Sequence, residues 1–109
     1  MSVDVEVYED ESGTRPFDAW FDALPAAHAA KVTAAVIRLG GGSQSGLKPV
    51  GRGVSEWRID WGPGIRIYLA FDGKLVILLG GGTKTRQQSD IAQALQRWAD
   101  YKRRKKAKE

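Results

Sequence analysis

The 109-residue chain has no cysteine, a single histidine, a single methionine and four prolines. Without cysteine there is neither a disulfide framework nor a thiolate metal site. One histidine excludes a histidine pair for acid–base catalysis. No apolar run approaches the length of a membrane span, and the first residues are acidic rather than signal-like. There is no internal repeat and no spacing of acidic residues that would build a metal loop: Asp4, Glu6, Glu9, Asp10 and Glu11 read as a solvated edge. The expectation is one cytoplasmic domain with a modest core, no cofactor and no metal.

What the chain does have is an uneven charge. The net value is +4, yet residues 1–43 hold three basic and seven acidic side chains, residues 44–86 seven basic and three acidic, and residues 101–109 six basic and one acidic. A basic central region and tail point to an anionic partner such as nucleic acid. The tail alone is equally compatible with a solvated, solubilising end.

Residues 3–8 alternate apolar and polar, which predicts a half-buried strand. Thr14 is a plausible N-cap for a short helix in which Phe17, Trp20, Phe21 and Leu24 share a face. Pro25 opens a second helix with Ala29, Val32, Val36 and Leu39 inward, and Gly40-Gly41-Gly42 ends it; residues 43–46 read as a link. A strand follows from about Ser55 to Trp61, with Trp57, Ile59 and Trp61 on one face and Glu56, Arg58 and Asp60 on the other. In the next strand Ile65, Ile67, Leu69 and Phe71 oppose Arg66, Tyr68 and Ala70. Asp72-Gly73 signals a tight hairpin, and the apolar run from Leu75 to Leu79 a central strand. Ser89 caps a last helix with Ile91, Ala94, Leu95 and Trp98 inward, fraying into the basic tail. The order β-α-α-β-β-β-α predicts an α+β domain on a four-stranded, mainly antiparallel sheet. Its boundaries are residues 1–101, with residues 102–109 as a basic tail.

Register decides which charges meet. A three-residue loop, Gly62-Pro63-Gly64, pairs Asp60 with Arg66, Arg58 with Tyr68 and Ile59 with Ile67. It keeps one face polar and the other apolar, whereas a two-residue loop mixes them. On this reading Glu56, Arg58, Asp60, Arg66 and Tyr68 line one patch. As a plain surface ion pair, Asp60–Arg66 would contribute at most about 1 kcal/mol. His28, in an alanine-rich helix, reads as a surface residue away from the basic strands. Gly80-Gly81-Gly82 reads either as a phosphate-approaching backbone or as a flexible connection. Trp20 and Trp98 read as core, and so do Trp57 and Trp61 by their alternation with Ile59, although an exposed tryptophan could stack on a base.

The ordered set from Pro16-Phe17-Asp18-Ala19-Trp20, through Lys48 to Asp60, Gly62-Pro63-Gly64, Ile65 to Tyr68, Leu78 to Lys84, to Gln87 and Asp90-Ile91 resembles the RelE/ParE superfamily of toxins from type II toxin–antitoxin modules. Within it the chain is similar to the HigB-like, phage-type "addiction module killer" branch. The resemblance implies a metal-independent, ribosome-dependent mRNA endoribonuclease. Its partners would be the ribosome with mRNA and a helix-turn-helix antitoxin, in a toxin–antitoxin hetero-oligomer. Carried over by resemblance, Lys48, Arg66 and Lys84 are the catalytic cations, and Arg58, Arg86 and Tyr68 bind RNA. The chain departs from the pattern with Ile65 at a usual aromatic position, with Thr83 where the branch tends to have Asp, and with no tyrosine near the start of the last helix. The general acid and base are therefore open: a lysine could be the base, and Tyr68 is either an acid or a buried strand tyrosine. The alternative within the same superfamily is a ParE-like, non-nuclease inhibitor of DNA gyrase. A third reading is a nucleic-acid-binding domain without catalysis.

Overall fold

The computed structural model describes residues 3–108; Met1, Ser2 and Glu109, the extreme ends of the expected domain and tail, lie outside them. The elements are β1 (Asp4–Val7), α1 (Pro16–Asp22), α2 (Ala26–Gly40), β2 (Leu47–Gly51), β3 (Val54–Ile59), β4 (Ile65–Asp72), β5 (Leu75–Thr83), a 3-10 turn over Lys84–Arg86, and α3 (Gln87–Lys108). They form one five-stranded sheet in the order β1-β5-β4-β3-β2, in which only the β1–β5 pair is parallel. The sheet is thus mainly antiparallel, as expected, but has five strands rather than four.

The additional strand is β2, hidden from a pattern reading by its composition. Leu-Lys-Pro-Val-Gly lacks clean alternation, and proline argues against a central strand. An edge strand tolerates it, because an outward-facing backbone position needs no N–H donor. The ladder slips between Pro49 and Gly51, and the return to β3 passes through Gly51, Arg52 and Gly53, all at positive φ.

Both faces of the sheet are covered. On one, Phe17 from α1 and Val32, Ala35 and Leu39 from α2 pack against Trp57, Ile65, Ile67, Leu69, Val76 and Leu78. On the other, Ala94 and Trp98 of α3 pack against Tyr8, Val54, Tyr68, Ala70, Ile77 and Leu79. The face carrying Arg66, Tyr68 and Ala70 is therefore not an open polar surface; α3 buries most of it. The inner stripe of α3 is the expected one, with Ile91 and Leu95 partly buried beside Ala94 and Trp98.

Three local readings shift. Thr14 does not cap α1, whose N-cap is Arg15; its N–H instead donates to Asp10 Oδ1 at 2.9 Å. Ser89 lies inside α3, which already begins at Gln87. In the last hairpin Asp72 pairs with Leu75, so Gly73 and Lys74 form the turn, one residue later than the Asp-Gly signal suggested.

Gly80-Gly81-Gly82 is neither a loop nor a phosphate cradle but the end of β5. Glycine fits here because side chains press on this backbone from both faces. A Cβ on Gly80 would stand 2.5 Å from the Arg97 guanidinium, one on Gly81 2.3 Å from the Trp20 ring, and one on Gly82 2.0 Å from the Asp90 carboxylate. Gly81→Ala is expected to destabilise the protein by about 1–3 kcal/mol, because the wedged indole must leave its packing. Thermal melts read the loss, and Trp20→Leu in the same background should recover part of it.

The basic tail is helical and held. Asp100 accepts from the Tyr8 hydroxyl at 2.6 Å and from Arg104 Nε at 2.9 Å. Asp72 accepts from the Tyr101 hydroxyl at 2.7 Å and from Lys105 at 2.6 Å. Arg104 also donates to the Glu9 carbonyl, and Arg103 pairs with Asp100 and Glu11. Asp100 is one turn earlier in the same helix, while Asp72 and Glu11 come from distant segments; together they offset part of the repulsion that would fray a run of lysines and arginines. Burial, then the bond to Asp100, pushes the Tyr8 hydroxyl up to about 12.

Candidate nucleic-acid interface

The pairing of β3 with β4 puts Arg58 opposite Arg66, Ile59 opposite Ile65 and Glu56 opposite Tyr68. The connection therefore runs from Asp60 to Gly64 rather than from Gly62 to Gly64, and Asp60 does not pair with Arg66. The expected register was off by two residues. Strand side chains alternate with period two, so such a slip leaves every residue on its own face, and patterning cannot detect it. Gly62 and Gly64 adopt positive φ here, and the Gly64 N–H closes the turn on the Trp61 carbonyl at 3.1 Å.

One row across the sheet is thus Lys48–Glu56–Tyr68–Gly80, and the next is Arg58–Arg66–Gly82. The partner of Arg66 is Glu56, on the neighbouring row. Glu56 is fully buried, with 0% of its surface exposed. Its carboxylate accepts from Arg58 Nε at 2.6 Å and from Gln87 Nε2 at 2.9 Å, and lies 3.6 Å from Arg66 Nε. Burial pushes the Glu56 carboxyl up, but the bonds from Arg58 and Gln87 and the charges of Arg58 and Arg66 outweigh it, leaving it below the usual carboxylate range. Arg66 is 7% exposed and donates from Nη1 to the Gly64 carbonyl at 3.0 Å.

Arg58, Arg66 and Lys84 meet around a shallow open depression, together with Asp60, Trp61 and the Gly62-Pro63-Gly64 turn. Lys84 belongs here because its backbone N–H donates to the Gly64 carbonyl at 3.1 Å, tying the end of β5 to the turn. Lys48 shares the face but stands on the edge strand opposite Glu56, outside the depression. Arg86 is exposed on the 3-10 turn, and its charge is felt by Asp90. Tyr68 is 1% exposed beneath α3, with no hydrogen-bond partner for its hydroxyl. Burial, then the charges of Glu56 and Asp90, pushes that hydroxyl well above the ordinary tyrosine range.

Two residues named in the sequence only as part of the resemblance, with no role, acquire a place here. Asp90 lies over Gly82, the cross-strand neighbour of Arg66, in a niche that exists because residue 82 has no Cβ. Burial raises its carboxyl above the usual range, against the charges of Arg86 and Arg97. Gln87 is the other: the first residue of α3 reaches back to Glu56 across the sheet. Neither has a local signature. His28 is also closer than expected: its half-buried ring meets Trp61 edge-on at 5.1 Å, behind the depression. Trp61 is partly buried against the core, with Lys31 over its ring at 5.4 Å.

The sequence is 46% identical to an uncharacterized protein of Haemophilus influenzae over 83 residues, covering 74% of this chain and 84% of the other. The chain belongs to the family of that protein. No family model matches the sequence. Among solved structures, a mutant of the Escherichia coli toxin RelE in the free state superposes with a TM-score of 0.66 over 89% of this chain and 98% of that one, at 12% identity. The fold is RelE-like. Among the described residues no helix is long and apolar enough to cross a membrane, and no group of three His, Cys, Asp or Glu side chains is placed to hold a metal ion.

Proposed function

We propose that this protein is a cytoplasmic toxin of a type II toxin–antitoxin module, of the HigB-like branch, that cuts translated mRNA on the ribosome. The observation that carries the reading is the convergence of Arg58, Arg66 and Lys84 on one open depression of a RelE-like fold. Its partners are the ribosome with mRNA and a small helix-turn-helix antitoxin, which would cover or distort the basic face in a hetero-oligomer.

The chemistry is internal attack of a ribose 2′-hydroxyl on the adjacent phosphorus. The 2′-hydroxyl gives up its proton as its oxygen bonds to phosphorus, the bond to the 5′-oxygen breaks and that oxygen takes up a proton, and a 2′,3′-cyclic phosphate remains. Arg66 and Lys84 hold the non-bridging oxygens and stabilise the charge that develops there, with Lys48 extending the cationic face. Arg58 and Arg86 guide the backbone to the depression. Tyr68 stays beneath the site and supports it. Asp90 is our candidate to move a proton: it stands over Gly82, the cross-strand neighbour of Arg66, beside the residues that line the depression, and burial raises its carboxyl above the usual range.

The domain of residues 1–101 would carry this site, and the segment from residue 102 would add phosphate contacts. Of the tail's cations, Lys102, Lys106 and Lys108 make no ion pair among the described residues. Replacing all three with glutamine should lower the slope of log affinity against log salt by about 2, at roughly 0.7 per lost contact on single-stranded RNA. An unchanged slope in titrations at several salt concentrations would make the tail a structural clamp only.

The deciding experiment is induction of the protein alone, with mapping of mRNA 5′ ends. Cuts inside translated frames are the expected result. Intact messages with arrested DNA synthesis would favour a ParE-like action on gyrase. RNA binding without toxicity would leave a non-catalytic binding domain.

A further inference from the structure

A fully buried carboxylate under an anion-binding face is electrostatically counterproductive. It weakens the attraction for phosphate, and burying it is costly unless every oxygen is satisfied. Glu56 is such a group, and its surroundings are arranged around it. Arg58 takes one oxygen; Gln87 takes the other, which also faces Arg66 Nε. Arg66 is held at Nη1 by the Gly64 carbonyl, while its Nε, which has no hydrogen-bond partner, faces the charge of Glu56. Strands β3 and β4 and helix α3 thereby share one anchor.

We propose that Glu56 is a positioning residue. Its carboxylate fixes the guanidiniums of Arg58 and Arg66 at the rim of the depression, and through Gln87 it ties the start of α3 to them. It does so without touching the bound phosphate. The inference rests on the nuclease reading for its catalytic consequence, and on geometry alone for its structural one. Two like charges on adjacent strands repel, and free arginine side chains sample many rotamers. A shared buried anion removes both problems and leaves the outward guanidinium nitrogens of Arg58 free for a ligand.

The test is Glu56→Gln, which keeps the shape and removes the charge. Cleavage by pre-bound enzyme on programmed ribosomes should slow by about thirtyfold, because small misplacements of charge-stabilising groups are costly. Binding to the same ribosomes carrying a message 2′-deoxy across the A-site codon should stay unchanged or tighten by about two- to fivefold, since an anion has left the face. A residue needed only for folding would not separate the two. Gln87→Ala, a surface-side truncation that spares the buried pair, should give the same split at about fivefold. It serves if Glu56→Gln is poorly folded.

A second readout is independent of cleavage. The Arg66 Nε–Hε resonance should be sharp and protected from water exchange in the wild type, and lost in Glu56→Gln. Loss of that resonance in a protein whose wild type cuts no RNA would uphold the positioning role and discard the nuclease. A protected resonance in a folded Glu56→Gln variant, or equal cleavage and binding in both proteins, would overturn the proposal.

Discussion

Arg66→Ala is expected to slow single-turnover cleavage on programmed ribosomes by about a hundredfold or more, the usual scale for removing one charge-stabilising donor. It should also lower stability by about 3 kcal/mol, because the change breaks a buried pair and leaves Glu56 with Arg58 as its one cation. The second figure exceeds the surface-pair value of about 1 kcal/mol that an Asp60–Arg66 contact would imply. The partner is Glu56, with none of its surface exposed. Rates must therefore be compared at a temperature where urea or thermal melts show both proteins folded. Arg66→Lys retains a charge but loses the planar fork and the bond to the Gly64 carbonyl, so it should recover only part of the rate. A folded Arg66→Ala variant cutting at the wild-type rate would take Arg66 out of the site and leave Arg58 and Lys84 as the cations of the depression, with Lys48 beside it.

The second large effect concerns Asp90. Asp90→Asn should reduce cleavage by about a hundredfold, within the range for a positioned proton-transfer group, and should remove a limb from the pH–rate profile. The sign of the stability change distinguishes catalysis from structure. Burial raises the folded carboxyl above its unfolded value of 3.8, so the ionised side chain costs stability once the pH rises through that range. The Asn variant should accordingly melt no lower than the wild type at neutral pH. Gly82→Ala reaches the same niche from the other side. Its Cβ would stand 2.0 Å from Asp90 Oδ2, and a terminal carboxylate can swing away, so the fold should survive while the rate falls. Wild-type cleavage in both variants would show that Asp90 plays no part in proton transfer.

The two variants together illustrate how a carboxylate can be read in this protein. Glu56 lies beneath the start of α3 and Asp90 stands in that helix's first turn; bonds from Arg58 and Gln87 favour ionisation of the first, and burial disfavours it in the second. Environments that push two titratable groups apart assign them different tasks. On the proposed reading Glu56 anchors and Asp90 exchanges a proton.

Amphipathic periodicity was enough to read α1, α2, the inner face of α3, and the strands β1, β3, β4 and the apolar part of β5, because each buries a regular stripe. The cationic character of the region from Lys48 to Arg86 was equally legible, since charge needs no geometry to be counted. Edge strand β2 was not, because an edge position relaxes the rules that proline and glycine otherwise break. The pairing of Arg66 was not either. Alternation assigns faces, and a two-residue slip changes every neighbour while leaving every face intact. Gly80, Gly81 and Gly82 looked like a loop because glycine marks both flexibility and close approach; only the arrival of Arg97, Trp20 and Asp90 tells them apart. The sequence by itself determined which residues are charged, which stripes are apolar and in what order the elements come. The tertiary structure alone decided that Glu56 holds Arg66, that Gln87 reaches them and that Asp90 stands over Gly82, because those contacts join segments whose sequences carry no record of one another.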